Sequence, residues 1–143
     1  MWILLALGAS VFWGISYVLS EEIYKKISVF SGIGIVLLVV SVLTLIISFF
    51  TNNLKPDLAS IFSSKRLLYF IIFAILALLI AEIFIGFSIT TKNATLAGLI
   101  EISYPIFIAI FSYLLYKTPV SLPTIIGGAT VFSGVFIIYY FNH

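Results

Sequence analysis

The chain has 143 residues, of which 63% are hydrophobic and only 8% are charged. Because a soluble domain carries roughly 25% charged residues, this composition excludes a soluble protein and predicts an integral membrane protein. The net charge of +2, without a basic cluster, gives no indication of nucleic-acid binding. With no Cys and a single His, the chain is not expected to form disulfides or to hold a metal through thiolates or a histidine cluster.

Five apolar segments follow one another, and each is long enough to cross a bilayer as a helix, which takes about 20 residues. They are approximately Trp2–Leu19, Val29–Phe50, Leu67–Phe87, Leu96–Tyr116 and Leu122–Phe141. Because the polar links between them are short, consecutive helices are expected to run antiparallel. The prediction is an all-α polytopic membrane protein, with residues 1–143 forming one five-helix domain.

The longest link, Thr51–Arg66, contains a short amphipathic piece at Pro56–Phe62. Its polar residues are Asp57 and Ser60, whereas Leu58, Ile61 and Phe62 are apolar. The piece is either an ordered connector or a segment that lies in the membrane interface.

The orientation of the helices is predicted from the Lys and Arg residues in the links. The face with the N-terminus carries Lys55, Lys65, Arg66 and Lys117, and the opposite face carries Lys25, Lys26 and Lys92. Four cations against three favour a cytoplasmic N-terminus only weakly. So small a difference is also what a chain that inserts in both orientations would show.

The fourth segment, Leu96–Tyr116, combines a carboxylate with a proline. Glu101 should cost about 2.5–3.5 kcal/mol near the bilayer centre, so it needs a partner or a role. Pro105 cannot donate a hydrogen bond to the carbonyl four residues earlier, which belongs to Glu101. The two residues predict either an intramembrane site with Pro105 as a helix hinge or an ordinary structural kink.

Two carboxylates, Glu82 and Glu101, lie within the apolar segments. They are equally far from the link that centres on Thr91 and Lys92, so an antiparallel hairpin should place them at equal depth. About nine residues of helix put each acid roughly 14 Å from the turn, near the middle of a core about 30 Å thick. Facing each other, they could not easily both be ionised, and they would bind a cation or exchange a proton for a substrate. The alternative is that each acid hydrogen-bonds a nearby hydroxyl or reaches towards water.

The first segment presents aromatic and hydroxyl side chains at the depth of the two acids. Trp13 and Tyr17 are four residues apart and share one face of the helix, with Ser16 on a neighbouring stripe. Aromatic rings beside carboxylates are suited to an organic cation. The alternative is ordinary helix packing, with Tyr17 as an interfacial anchor.

The fifth segment carries Gly127 and Gly134, seven residues apart. Small residues at this spacing let a partner helix approach closely. The partner is either another helix of the same chain or a second subunit.

Motifs of catalysis are missing from the sequence: there is no GxSxG, HExxH, phosphate-binding glycine loop or pair of transmembrane aspartates. We therefore expect no enzyme activity and no cofactor.

The opening ALGASVFWGISYVLSEE resembles the first helix of EamA-like members of the drug/metabolite transporter superfamily. The stretch from FSITTKNATLAGLIEISYP to the Gly-rich last segment resembles the end of the same five-helix repeat. The resemblance covers nearly the whole chain and implies a transporter of small metabolites or drug-like compounds.

The chain also departs from the patterns that it resembles. Many EamA-like proteins have two repeats, whereas this chain has one, and their Gly-Glu pair after the fourth helix is here Lys117-Thr118. The related small multidrug resistance proteins carry a functional glutamate in their first helix, which has no counterpart here. Their glycine heptad in the last helix, which mediates dimerisation, does match Gly127 and Gly134.

We therefore expect a small secondary transporter in a prokaryotic inner membrane, working as a homodimer among membrane lipids. Glu82 and Glu101 would supply charge or proton coupling, and Trp13, Ser16 and Tyr17 would line the pocket for a small-molecule substrate. The alternatives are a membrane scaffold or accessory subunit without a substrate, and a flippase subunit for a lipid carrier.

Overall fold

The computed structural model describes residues 1–141, which contain helices and no strand. The helices are α1 (Trp2–Tyr24), α2 (Val29–Phe50), α3 (Leu54–Ser63), α4 (Lys65–Thr91), α5 (Ala94–Glu101), α6 (Tyr104–Tyr116) and α7 (Leu122–Phe141). Five spans in this range are long and apolar enough to cross a membrane, with α5 and α6 together forming the fourth. The predicted all-α, five-span architecture is confirmed.

Three of the spans are longer than the sequence predicted, since the fourth begins at Ala94 rather than Leu96. The prediction ended the first helix at Leu19, but α1 continues to Tyr24, and α4 begins at Lys65 rather than Leu67 and ends at Thr91 rather than Phe87. The 27 residues of α4 measure about 40 Å, so its ends extend beyond a hydrocarbon core about 30 Å thick. Polar residues are therefore compatible with its helical ends, and hydropathy alone made the predicted helix too short at both ends.

One compact unit consists of Met1–Glu21 and the described residues from Ser88 onwards. It contains most of α1 together with α5, α6 and α7, and α5 packs against α7. Ala94 and Ala97 of α5 are buried, whereas no residue of α1, α6 or α7 is buried. The exposed apolar surfaces of these helices fit a lipid environment.

The second compact unit is Glu22–Phe87, which contains α2, α3 and most of α4. Val29 and Ile33 of α2 are its buried aliphatic side chains. A Cβ atom added to Gly86 of α4 would lie 2.5 Å from Cγ1 of Val29, and one added to Gly32 would lie 2.7 Å from the ring of Tyr24. The two glycines therefore permit close packing, and a larger residue at either position would force the Val29 or Tyr24 side chain to shift.

The predicted amphipathic piece in the long link is a helix, α3, which begins at Leu54 and packs against α2. The turn before it includes Asn52, whose φ is 59°, a left-handed conformation that Asn tolerates better than most residues. Asp57 lies in the first turn of α3, where a carboxylate interacts favourably with the helix dipole. The location of α3 in the membrane interface stays a prediction.

Candidate functional site

The polar contact of interest lies between α1 and α5. The hydroxyl of Tyr17 donates a hydrogen bond to Oε2 of Glu101, and both side chains are half-buried. The intramembrane carboxylate thus has a hydrogen-bonding partner of the kind that lowers the cost of placing an acid in a membrane. For Glu101 this is the alternative considered from the sequence, a hydrogen bond to a nearby hydroxyl, although Tyr17 was not named as the partner.

A glycine allows the ring of Tyr17 to reach this position. A Cβ atom built on Gly98 would lie 3.1 Å from Cδ2 of Tyr17, which is tighter than an ordinary van der Waals contact. Gly98 is three residues before Glu101, so it lies on the same face of α5. The ring therefore crosses α5 at Gly98 while its hydroxyl reaches the carboxylate.

The ring of Trp13 extends the aromatic surface along α1. The ring centroids of Trp13 and Tyr17 are 5.8 Å apart with an interplanar angle of 57°, a tilted arrangement that aromatic pairs favour. Ser16, the other predicted site residue on α1, is half-buried. Trp13, Tyr17 and Glu101 thus form a continuous group, in which the carboxylate accepts a hydrogen bond from Tyr17 and the Tyr17 ring contacts Trp13.

The chain breaks its helix directly after this carboxylate. Glu101 is the last residue of α5, Ile102 and Ser103 form a turn, and α6 begins at Tyr104 with Pro105 in its first turn. The sequence predicted one continuous fourth segment, so the two-residue interruption is a correction. Proline is favourable in the first turn of a helix, where its missing N–H is not needed, and it has no donor for the Glu101 carbonyl. Whether Pro105 acts as a hinge stays a prediction.

The other end of α5 has a second polar tie to α1, which the sequence analysis missed. Oε2 of Glu21 accepts a hydrogen bond from the backbone N–H of Ala94 at 2.7 Å. Beside it, Oδ1 of Asn93 accepts from the N–H of Leu96 at 2.8 Å and caps the helix. Glu21 was assigned to a polar link, although its position four residues after Tyr17 places it on the same face once α1 is extended.

Glu82, the second predicted carboxylate, is half-buried on α4 and belongs to the other compact unit. Its equal depth with Glu101 and its membership of the same site stay predictions.

Of the three glycines of α7, the predicted pair Gly127 and Gly134 has open space at the Cβ positions. Cβ atoms built on Gly127 and Gly134 would meet no other atom within 4 Å, whereas one built on Gly128 would lie 3.4 Å from Cγ1 of Ile106. Helix α6 therefore approaches α7 at Gly128 and not at the predicted heptad positions. Gly127 instead lines an almost wholly apolar cavity of about 820 Å³ beside α6 and α7.

Acidic and imidazole side chains do not gather into a metal site within residues 1–141, where no group of three or more His, Cys, Asp or Glu lies together. The chemistry available at the Tyr17–Glu101 contact is that of one carboxylate, one phenol and aromatic faces.

The model of the EamA-like transporter family matches residues 1–140, which is nearly the whole chain. No curated protein and no solved structure gives a significant match.

Proposed function

Because the chain belongs to the EamA-like transporter family, whose members are membrane transporters of the drug/metabolite type, we propose that it moves small organic cations by secondary transport. The observation that carries the proposal is the hydrogen bond from Tyr17 to Glu101 beside the break in the fourth span. Interrupted transmembrane helices occur where the backbone lines a cavity or a binding site.

The chemistry of the group indicates the substrate class. A half-buried carboxylate attracts a cation, and the faces of Trp13 and Tyr17 can hold an ammonium group by cation–π interaction. A substrate cation that reached Glu101 would compete with the Tyr17 hydroxyl for the carboxylate oxygens. Ser16, half-buried one residue before Tyr17, would add a hydroxyl to the pocket.

Proton coupling follows from the same competition. A carboxylate that binds either a proton or a cationic substrate exchanges one for the other, which couples their opposite movements across the membrane. We assign this exchange mainly to Glu101, with Glu82 in a supporting role.

We further propose that the transporter is a homodimer in a prokaryotic inner membrane. Secondary transporters are often built from two repeats of inverted topology, so that one site can open to either side. One five-helix repeat can obtain such a partner from a second copy in the opposite orientation, and the near-balanced cations of its links permit both insertions. The open space at the Cβ positions of Gly127 and Gly134 supports α7 as the contact.

Reconstitution in proteoliposomes tests the proposal. Uptake is measured for a panel of amines, amino acids and nucleosides, with and without a pH gradient. We expect gradient-driven uptake of amines, its loss in Glu101→Gln and a smaller decrease in Glu82→Gln. The matched control is Glu22→Gln, because Glu22 is an exposed acid whose carboxylate pairs with Lys25 at 2.6 Å, and it should transport normally.

Three results would contradict the proposal. Retained pH-dependent uptake in the Glu82→Gln, Glu101→Gln double variant would exclude the two acids as the coupling groups. Absence of uptake and of thermal stabilisation by every compound in the panel would favour a scaffold or accessory subunit. Binding restricted to long-chain lipids would favour a lipid-carrier flippase.

A further inference from the structure

We infer that Glu21 is a positioning residue for Glu101: it holds the N-terminus of α5 against α1 and thereby fixes the alignment in which Glu101 meets Tyr17. Its consequence for transport rests on the proposed role of Glu101. The alignment itself does not depend on that role and can be measured separately.

The two ties run in opposite order along the two helices, and the longer spacing on α5 is shortened by the lean of the Glu101 side chain. Tyr17 and Glu21 are four residues apart on α1, about 6 Å along one face of the helix. Their partners on α5 are the carboxylate of Glu101 and the N–H of Ala94, seven residues apart and in the reverse order. Helical side chains lean towards the N-terminus of their own helix, so the Glu101 side chain leans back towards Gly98, beneath the Tyr17 ring.

Helix α5 packs against α7, and hydrogen bonds to α1 at its two ends add to that packing. It has eight residues, fewer than an isolated helix needs for stability, and the turn at Ile102 and Ser103 interrupts its continuity with α6. Its buried residues are Ala94 and Ala97, whose methyl groups give few contacts that depend on exact alignment. We therefore expect the hydrogen bonds at its two ends, together with the packing against α7, to fix its axial position.

Glu21 is suited to the N-terminal tie. The first N–H groups of a helix have no acceptor within the helix, and Asn93 supplies one for Leu96 only. The half-buried carboxylate of Glu21 supplies the acceptor for Ala94, and its charge interacts favourably with the positive end of the helix dipole. Loss of this acceptor would allow the N-terminal end of α5 to slide or fray.

The reactivity of Glu101 measures the alignment without a transport assay. A hydrophobic carbodiimide modifies carboxyl groups within membranes, and peptide mass spectrometry quantifies the adduct on Glu101. Labelling is carried out in detergent on the native chain and on four variants: Tyr17→Phe, Glu21→Leu, Glu21→Gln and Glu22→Leu. Tyr17→Phe sets the labelling rate of a Glu101 that has lost its phenol partner.

We expect Glu21→Leu to raise the labelling of Glu101 to the level measured for Tyr17→Phe. That level should be about tenfold above the native chain, because one hydrogen bond to a charged group is lost. Glu21→Gln should label like the native chain, because its amide oxygen still accepts from Ala94. Glu22→Leu should also be unchanged, because Glu22 is exposed and pairs with Lys25. Rescue by Gln shows that the acceptor and not the charge is required.

Unchanged labelling of Glu101 in Glu21→Leu would overturn the inference. Should Glu21→Leu fail to fold, Glu21→Asp replaces it. Because its carboxylate is one methylene shorter, Glu21→Asp should still raise the labelling of Glu101. Native-like labelling of Glu101 in Glu21→Asp would equally overturn the inference. In proteoliposomes, Glu21→Leu should raise KM for the amine more than it lowers kcat. A native chain that transports nothing would refute the proposed function and leave the labelling result standing.

Discussion

The packing of Gly86 against Val29 allows a quantitative test of the second unit. In Gly86→Ala the new methyl group would lie 2.5 Å from Cγ1 of Val29, a distance that real Cβ atoms essentially never show. Val29 is buried and β-branched, so its side chain cannot rotate away freely. Overpacking of this kind costs about 1–3 kcal/mol of unfolding free energy.

The favourable helix propensity of Ala opposes this cost and has to be removed from the comparison. Ala is better than Gly in a helix by about 0.8–1.0 kcal/mol in water. Gly34→Ala in α2 is the matched control, because a Cβ atom there meets nothing within 4 Å and the change contributes only propensity. The difference between the two variants therefore isolates the steric cost, which we expect at about 1–3 kcal/mol.

Unfolding titrations in mixed micelles, followed by circular dichroism, measure both variants. A double-mutant cycle with Val29→Ala supplies the decisive control, because that substitution removes Cγ1. Gly86→Ala should then become neutral or stabilising, with a coupling energy of about 0.5–3 kcal/mol between the two positions. Equal stabilities of Gly86→Ala and Gly34→Ala, or no coupling to Val29, would refute the argument.

Two further predictions concern topology. Cysteines placed at Ser60 and Val120 of this Cys-free chain should be labelled by an impermeant reagent from the same side of the membrane, and labelling from opposite sides would contradict the five spans. Adding two Lys residues to one loop face should fix the orientation of the chain, giving variants that are inactive alone and active when the two opposite versions are coexpressed. Full activity of one fixed version would exclude the inverted homodimer.

Hydropathy was sufficient for the five spans, because lipid imposes the same length and apolarity on every transmembrane helix. The sequence did not predict where the fourth span breaks. Pro105 was visible in the sequence, but one proline is compatible both with a kink inside a helix and with the first turn of a new one. The hydrogen bonding of the two turn residues, Ile102 and Ser103, decides between a kink and a new helix.

Trp13, Tyr17 and Glu101, which lie together in the structure, were among the predicted site residues, but their contacts were not predicted. Tyr17 and Glu101 were each identified, yet their pairing depends on the rotation of two helices about their axes, which neither apolar pattern determines. The same uncertainty explains why Gly128 rather than Gly127 meets Ile106, since one residue turns the helix by about 100°. Glu21 was missed because its charge was interpreted as the start of a link.

The interruption at Ile102 and Ser103 also constrains how the chain enters the membrane. Helices α5 and α6 measure about 12 Å and 20 Å, and neither alone crosses a hydrocarbon core about 30 Å thick. The insertion machinery must therefore accept the 23 residues Ala94–Tyr116 as one segment. The turn within it keeps its amides bonded, Ile102 to Gly98 and Ser103 to Ile100, both at 3.2 Å. Those bonds lower the cost of carrying a bent backbone into lipid during biogenesis.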